Sequence, residues 1–120
     1  MKEICNDQYV LFNALNSKMT LSDFQSYFKK ILNIRGFNEE SIEKKLLLLV
    51  EEVGELVKAV RKEQNVLGID YGKLENYDTV KGELADVLIV LIAICNLLQI
   101  DLYEALYEKE KVNIERRWSK

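Results

Sequence analysis

One acidic, apolar stretch constrains the fold of this chain more than any other feature. Residues 46–61 read LLLLVEEVGELVKAVR, with no proline to interrupt a helix. Residues three and four positions apart share a helix face, so the acids gather on one side and the apolar residues opposite. The acids are Glu51, Glu52 and Glu55, and the apolar stripe is Leu46, Leu49, Val50, Val53, Leu56, Val57 and Val60. Like charges beside apolar neighbours do not stabilise a helix, so we expect a cation between them.

The composition predicts an all-α fold, a helical bundle of four to five helices completed by dimerisation. The 120 residues include no proline and five glycines, which favours long helices over a turn-rich β fold. We expect an N-terminal arm or short helix at residues 1–19 and the main domain at residues 20–120. The main helices are predicted from Thr20 to Arg35, from Glu39 to Asn65, from Asp78 or Thr79 onward, and from Asp101 to Arg116 or Arg117.

A continuous apolar run indicates self-association. Residues 87–98 are apolar on every side of a helix except at Asn96, so this helix has to be buried all round. A monomer of this size encloses such a helix poorly, and we therefore expect a homodimer, with a dimer of dimers as an alternative. Asp86, Asn96 and Gln99 interrupt the run too closely for a membrane span, so no membrane partner is expected.

Charge and residue content argue against several function classes. A net charge of −3 does not favour nucleic-acid binding. The absence of histidine removes the commonest general base and zinc ligand, and argues against a di-iron bundle built on Glu-x-x-His pairs. The opening residues do not resemble a secretory leader, and Cys5 and Cys95 lie far apart, so we expect reduced thiols and a cytoplasmic location.

A second acidic motif, Glu83-x-x-Asp86, begins the apolar fourth helix. One connection, residues 65–78, joins it to the first acidic helix, so the two helices can pack antiparallel with their acids facing one gap. Four or five carboxylates meeting there form an oxygen-only site that suits Mg²⁺, or Mn²⁺, better than zinc. Helical geometry alone leaves open whether Glu51 or Glu52 faces the gap. Without a metal, the carboxyl pKa values should be raised.

Three segments together resemble the MazG-like all-α nucleoside triphosphate pyrophosphohydrolases. They are EEVGELVKAVRKE, then GELADVLIVLIAICNLLQIDL, then KVNIERRW. The resemblance extends over about residues 20–118 and implies Mg²⁺-dependent hydrolysis of nucleoside triphosphates to monophosphate and pyrophosphate, in nucleotide-pool housekeeping. It implies that Glu51 is the catalytic carboxylate near the attacking water. The metal ligands that it implies are Glu52, Glu55, Glu83 and Asp86.

Basic and aromatic residues are candidates for holding the nucleotide. Lys58 and Lys62 follow the first acidic motif on its helix, and the resemblance adds a C-terminal Lys…Asn…Arg pattern. That pattern corresponds to Lys109, Asn113 and Arg116; a solvated helix surface is the alternative for each basic residue. The aromatic candidates for base contacts are Phe28, Phe37, Tyr71 and Tyr77.

Two other hypotheses fit the same sequence. A sibling enzyme, such as a dimeric dUTPase or a phosphoribosyl-ATP pyrophosphohydrolase, would share the metal site and differ in the base pocket. A non-catalytic dimeric helical module would carry the same acids as a solvated stripe. Pyrophosphate release from a panel of nucleotides separates these hypotheses.

Overall fold

The fold is entirely helical over the residues described. The computed structural model describes residues 2–64 and 79–118, and side chains from residue 7 onward within these ranges. No strand occurs among these residues, which confirms the predicted all-α class. The helices are α1 (Lys2–Asn13), α2 (Leu21–Ile34), α3 (Ile42–Glu63), α4 (Val80–Leu97) and α5 (Leu102–Asn113).

Short polar side chains start four of the helices. Thr20 begins α2 with a capping box, in which its hydroxyl accepts from the Asp23 amide at 3.1 Å and the Asp23 carboxylate accepts from the Thr20 amide at 2.9 Å. Ser41, Thr79 and Asp101 each accept from a backbone N–H three residues on, at the starts of α3, α4 and α5. The predicted starts at Thr20, Thr79 and Asp101 are confirmed; Asp78 lies outside the described residues.

Glycine ends α2 as predicted. Gly36 has a φ of +82°, a conformation that favours glycine, and the Phe37 amide donates to the Leu32 carbonyl oxygen at 2.9 Å. This hydrogen bond, from an amide to the carbonyl oxygen five residues earlier, is typical of a helix that ends at a residue in the left-handed conformation.

Two predicted helix bounds are wrong. Helix α3 begins at Ile42, three residues later than predicted, because Ser41 supplies the cap and Glu40 turns to pair with lysines of the first turn. Helix α5 ends at Asn113, ahead of the predicted Arg116, and a turn follows at residues 114–115.

The described chain divides into two compact units. The first contains the chain up to Glu39 and the chain from Cys95 onward, and the second contains Glu40–Ile94. In the first unit, α2 packs against both α1 and α5, and Tyr27 and Ile31 of α2 are buried. The Gln25 amide links α2 to the α4–α5 turn: it donates to Asn96 Oδ1 at 3.1 Å and accepts from the Leu102 amide at 2.9 Å. Asn96 therefore serves packing within this unit.

The second unit pairs α3 with α4. At one end, Glu63 Oε1 accepts a hydrogen bond from the Val80 amide at 3.1 Å. Further along, Glu52 of α3 approaches Glu83 and Asp86 of α4. Moving back along α3 therefore means moving forward along α4, so the two helices run antiparallel. The buried residues of this unit are Lys45, Ala59, Glu83, Val90, Ile92 and Ala93.

The apolar stripe of α3 and part of the apolar surface of α4 are exposed in the single chain. Helix α3 turns Lys45 and Ala59 inward, so the apolar stripe points outward, with Val50 72% exposed and Val57 51% exposed. On α4, Leu88 and Leu91 are also exposed. The prediction that residues 87–98 are buried all round depends on a dimer, and it stays a prediction.

Within residues 2–64 and 79–118, no single helix is long and apolar enough to cross a membrane, although the sharply bent pair Val80–Leu97 and Leu102–Asn113 passes when taken together.

Candidate metal centre

Three carboxylates from α3 and α4 converge in the second unit. Glu52, Glu83 and Asp86 each place one oxygen within 4.8 Å of the others. Glu83 and Asp86 are three residues apart and therefore share a face of α4, while Glu52 lies on the inward side of α3 with Lys45 and Ala59. Glu83 is only 5% exposed, and the other two are partly buried. Helical periodicity and antiparallel packing are sufficient to build this cluster.

The electrostatics of the cluster disfavour full ionisation. Burial, and then the negative charges of Asp86, Glu51 and Glu55, raise the pKa of Glu52 above its ordinary value of 4.5. A hydrogen bond between the Glu52 and Glu83 side chains acts in the opposite direction. Burial and the neighbouring carboxylates together disfavour the charged form of Glu52.

The remaining two acids of the first motif lie at the edge of the cluster. Glu51 is exposed. Glu55 is partly buried, and its Oε2 lies 3.6 Å from the ammonium nitrogen of Lys58. Both carboxylates still raise the pKa of Glu52, so they lie within electrostatic reach of it. Of the predicted metal ligands, the structure brings together Glu52, Glu83 and Asp86, and it leaves Glu55 outside the three-residue cluster.

The predicted phosphate-binding lysines of α3 lie on the same helix as Glu52. Lys58 is partly buried and paired with Glu55, which holds its charge on the acidic side of the helix. Lys62 is also partly buried, one turn further on. Their role in substrate binding stays a prediction.

The C-terminal candidates belong to the other compact unit. Lys109 is exposed on α5, and Arg116 lies beyond the helix with its guanidinium 5.7 Å from the ring centre of Trp118. Asn113 Oδ1 is buried and has no hydrogen-bond partner among residues 2–64 and 79–118. Their role in phosphate binding also stays a prediction.

Two of the four aromatic candidates for base contacts lie among the described residues, and the role of all four stays a prediction. Phe28 packs edge-to-face on Tyr27 with ring centres 5.0 Å apart, and Phe37 is exposed. Tyr71 and Tyr77 lie outside the described residues.

Sequence reasoning missed one ion pair of this unit. Lys45 is 5% exposed, and its ammonium lies 2.9 Å from Glu40 Oε1. The available signal was the position of Lys45, seven residues before Glu52 and hence on the same helix face.

The donor set of the cluster fits a hard divalent cation. All three converging groups are carboxylates, which are the ligands that Mg²⁺ and Mn²⁺ prefer. The raised pKa of Glu52 gives an independent physical sign that positive charge is lacking there.

Comparison with known proteins points to nucleotide chemistry. The sequence matches a family model described as MazG nucleotide pyrophosphohydrolase domain over residues 40–117. The matched segment contains the three clustered carboxylates and excludes α1 and α2. A comparison with curated proteins returns no match.

Proposed function

The chain belongs to the MazG nucleotide pyrophosphohydrolase domain family, and we propose that it hydrolyses nucleoside or deoxynucleoside triphosphates to monophosphate and pyrophosphate. The proposed cofactor is Mg²⁺, with Mn²⁺ as a substitute, and the proposed setting is nucleotide-pool housekeeping in the cytoplasm. The observation that carries the proposal is the convergence of Glu52, Glu83 and Asp86 within 4.8 Å.

A carboxylate cluster cannot bind a triphosphate by itself. A triphosphate carries about four negative charges near neutral pH, and carboxylates at close range repel it. A divalent ion held by these carboxylates would supply the positive charge that the phosphates need and would make a bound water more acidic.

The clustered acids have distinct proposed roles. Glu52, Glu83 and Asp86 would hold the ion, and Glu55 would complete the set from the edge of the cluster. All of these carboxylates would have to be ionised to hold the ion, since ligating carboxylates bind in their charged form. Glu51, exposed beside them, would orient or deprotonate the attacking water.

The basic side chains would bind the phosphate tail. Lys58 and Lys62 extend along α3 from the acidic motif and would contact phosphate oxygens with their ammonium groups. Lys109, Asn113 and Arg116 are proposed to contribute from the C-terminal segment, where the buried oxygen of Asn113 has hydrogen-bonding capacity to offer.

A substrate panel tests the function. Purified protein is incubated with each common ribo- and deoxyribonucleoside triphosphate, dUTP and phosphoribosyl-ATP, in Mg²⁺ or in Mn²⁺, and pyrophosphate release is measured. Asp86→Asn should abolish release, while Glu43→Gln, an exposed acid on α3 away from the cluster, should leave it unchanged. Preference for dUTP or phosphoribosyl-ATP would assign a sibling activity. No release from any nucleotide, with melting unchanged by either metal, would leave a non-catalytic helical module.

We further propose a homodimer formed through the exposed apolar faces of α3 and α4, with a dimer of dimers as the larger alternative. Five exposed apolar residues of α3 recur at alternating intervals of four and three, and three on α4 repeat the pattern, while the exposed Leu47 and Leu97 lie outside it. The eight residues that follow the pattern are Leu46, Val50, Val53, Val57 and Val60 on α3, and Leu84, Leu88 and Leu91 on α4. This spacing is the heptad pattern of helices that pack side by side.

The exposed area and one glycine support a second copy as the occupant. The eight side chains leave on the order of 600 Å² exposed, most of the roughly 800 Å² that each partner of a standard interface buries. Gly54 lies beside Val50 and Val57, and an added Cβ there would meet nothing within 4 Å. Glycine inside a helix costs about 1 kcal/mol relative to alanine, and close approach of a partner helix would account for it.

Light scattering at micromolar concentration tests the dimer. Val50→Glu should give a monomer, because it places a charge at the centre of the apolar stripe. Val112→Glu, on an exposed position of α5, is the matched control and should leave the mass unchanged. A monomeric wild-type protein would refute the proposal.

A further inference from the structure

A cavity of about 320 Å³ lies between α1 and α2, in the first unit. Its volume falls at the lower end of the roughly 300–1,000 Å³ that small-molecule sites occupy. Every lining residue precedes residue 40, so the cavity is outside the segment that matches the family model. The lining residues are Gln8, Tyr9, Phe12, Tyr27, Ile31 and Arg35.

Three of the residues that line this cavity are aromatic. Tyr27 is 8% exposed and is fixed by the edge-to-face contact with Phe28, so it forms a rigid wall. Tyr9 and Phe12 of α1 are 66% and 58% exposed and form the rim. Large rings that remain this open offer their faces to a planar ligand, since aromatic rings prefer stacked or edge-on partners.

An arginine at the cavity adds a positive charge with a fixed orientation. Arg35 donates from Nε to Gln8 Oε1 at 2.9 Å, which ties the end of α2 to α1. A guanidinium carries five N–H donors in a rigid plane, so this one bond orients the group and leaves donors available for an anion. An anionic group on the ligand would be met by a charge-assisted hydrogen bond.

We propose that this cavity is a nucleotide-binding site that works without a metal ion, with the base stacked among Tyr9, Phe12 and Tyr27 and the phosphate held by Arg35. The choice of a nucleotide, among planar anions, rests on the proposed function. A nucleoside monophosphate combines the two features that the walls recognise, a flat ring and an anion.

Calorimetric titration of the full-length protein with AMP, GMP, CMP and UMP in excess EDTA tests this site. Chelation removes the divalent ions that the carboxylate cluster needs, so binding under these conditions reports on the cavity. We expect saturable one-to-one binding of at least one nucleotide. Base stacking on one aromatic ring is worth about a tenfold change in affinity, so Phe12→Ala should weaken binding by about that factor. Arg35→Gln should weaken binding of the monophosphate and leave that of the free nucleoside unchanged.

Matched controls separate the cavity from general surface effects. Tyr103→Ala removes a ring of similar exposure on α5, and Lys30→Gln removes an exposed positive charge on α2; neither should alter binding. Tyr9→Ala serves as the second ring variant if Phe12→Ala fails to fold. Absence of saturable binding, or equal weakening by Tyr103→Ala, would overturn the proposal. A third outcome would also overturn it: Arg35→Gln binds the monophosphate with unchanged affinity, and phenol competes for the cavity as well as a nucleotide does. That outcome would mean that the cavity is only an apolar cleft.

The result is separable from the main function. Pyrophosphate release in Mg²⁺ without nucleotide binding in EDTA overturns this site alone. Binding in EDTA without release from any triphosphate overturns the proposed hydrolysis alone.

Discussion

Two partly buried glutamates of the second unit, Glu40 and Glu52, have pKa values that are shifted in opposite directions. Glu40 accepts from the ammonium of Lys45 at 2.9 Å and lies 3.0 Å from that of Lys44, and these hydrogen bonds lower its pKa. Glu52, on the helix that follows, has a raised pKa because burial and neighbouring carboxylates disfavour its charged form. One carboxylate is therefore stabilised by its surroundings, and the other is destabilised by them.

The difference separates a structural charge from a functional one. At Glu40 the chain supplies its own cations, so the pair can be complete without any ligand. At Glu52 the charged groups that set the pKa are all carboxylates, so the positive charge has to come from outside the cluster. A protein keeps such a repulsive arrangement where activity requires it, at a cost in stability.

The largest expected effect comes from neutralising the most buried acid. Glu83→Gln should reduce pyrophosphate release by more than about a hundredfold, since even outer-shell changes at metal sites cost 10–100-fold. The same change should alter the melting temperature of the metal-free protein by less than about 4 °C, because the glutamine amide can keep the hydrogen bond with Glu52. Activity assays and thermal unfolding in EDTA measure the two effects. Glu43→Gln is the control, and full activity in Glu83→Gln would contradict the assigned role.

The second-largest expected effect tests the ion pair between Glu40 and Lys45. Glu40→Gln should destabilise the protein by about 2 kcal/mol near neutral pH, because it leaves the buried Lys45 without its carboxylate partner. For a protein of this size that is about 8 °C in melting temperature. Since the pKa of Glu40 is lowered in the fold, its contribution is present above the ordinary value of 4.5 and is lost as pH falls through the lowered value. The difference between variant and wild type should therefore shrink in acid.

The exposed neighbour Glu39 provides the control for that experiment. Glu39→Gln removes the same charge one residue away and should change the melting temperature by less than about 2 °C. Equal destabilisation by the two variants would mean that net charge, and not the pair with Lys45, explains the result.

A smaller effect links the cluster to pH. The pKa of Glu52 is raised in the fold, so its favourable contribution is present below the ordinary value of 4.5 and is lost as pH rises through the raised value. A bound cation removes this loss. The gain in melting temperature from saturating Mg²⁺ should therefore be greater at about pH 8 than at about pH 5. An equal gain at both pH values would show that Mg²⁺ binds elsewhere, and Asp86→Asn should remove most of the gain.

The sequence was sufficient for the helices and for the convergence of the acids. Caps at Thr20, Thr79 and Asp101 act within one helical turn, so local chemistry determines them. That acids of α3 would meet Glu83 and Asp86 required only helical periodicity and one antiparallel connection. Whether Glu51 or Glu52 faces the gap depends on the rotation of α3, which periodicity alone leaves open.

Other features depend on tertiary placement that local patterns do not contain. The sequence shows the apolar stripe through Val50 and Val57 but not its burial: α3 buries Lys45 and Ala59 and leaves Val50 and Val57 exposed. A charged residue on the buried face contradicts the usual burial preference, and its ion pair with Glu40 is formed by a residue that precedes the helix. The aromatic cavity between α1 and α2 likewise joins residues nearly 30 positions apart, and no motif marks them.

The smallest expected effects rank the neighbours of Glu52 by their influence. Asp86 has the largest charge effect on its pKa, followed by Glu51 and then Glu55. The exposed Glu51 acts through solvent, and the charge of Glu55 is partly offset by Lys58, whereas Asp86 belongs to the cluster itself. Asp86→Asn should therefore lower the pKa of Glu52 most, Glu51→Gln less, and Glu55→Gln least, as measured by NMR titration of the side-chain carboxyl in metal-free protein. A larger shift from Glu51→Gln than from Asp86→Asn would mean that Glu52 faces solvent, and the contrast with Glu40 would then lose its structural basis.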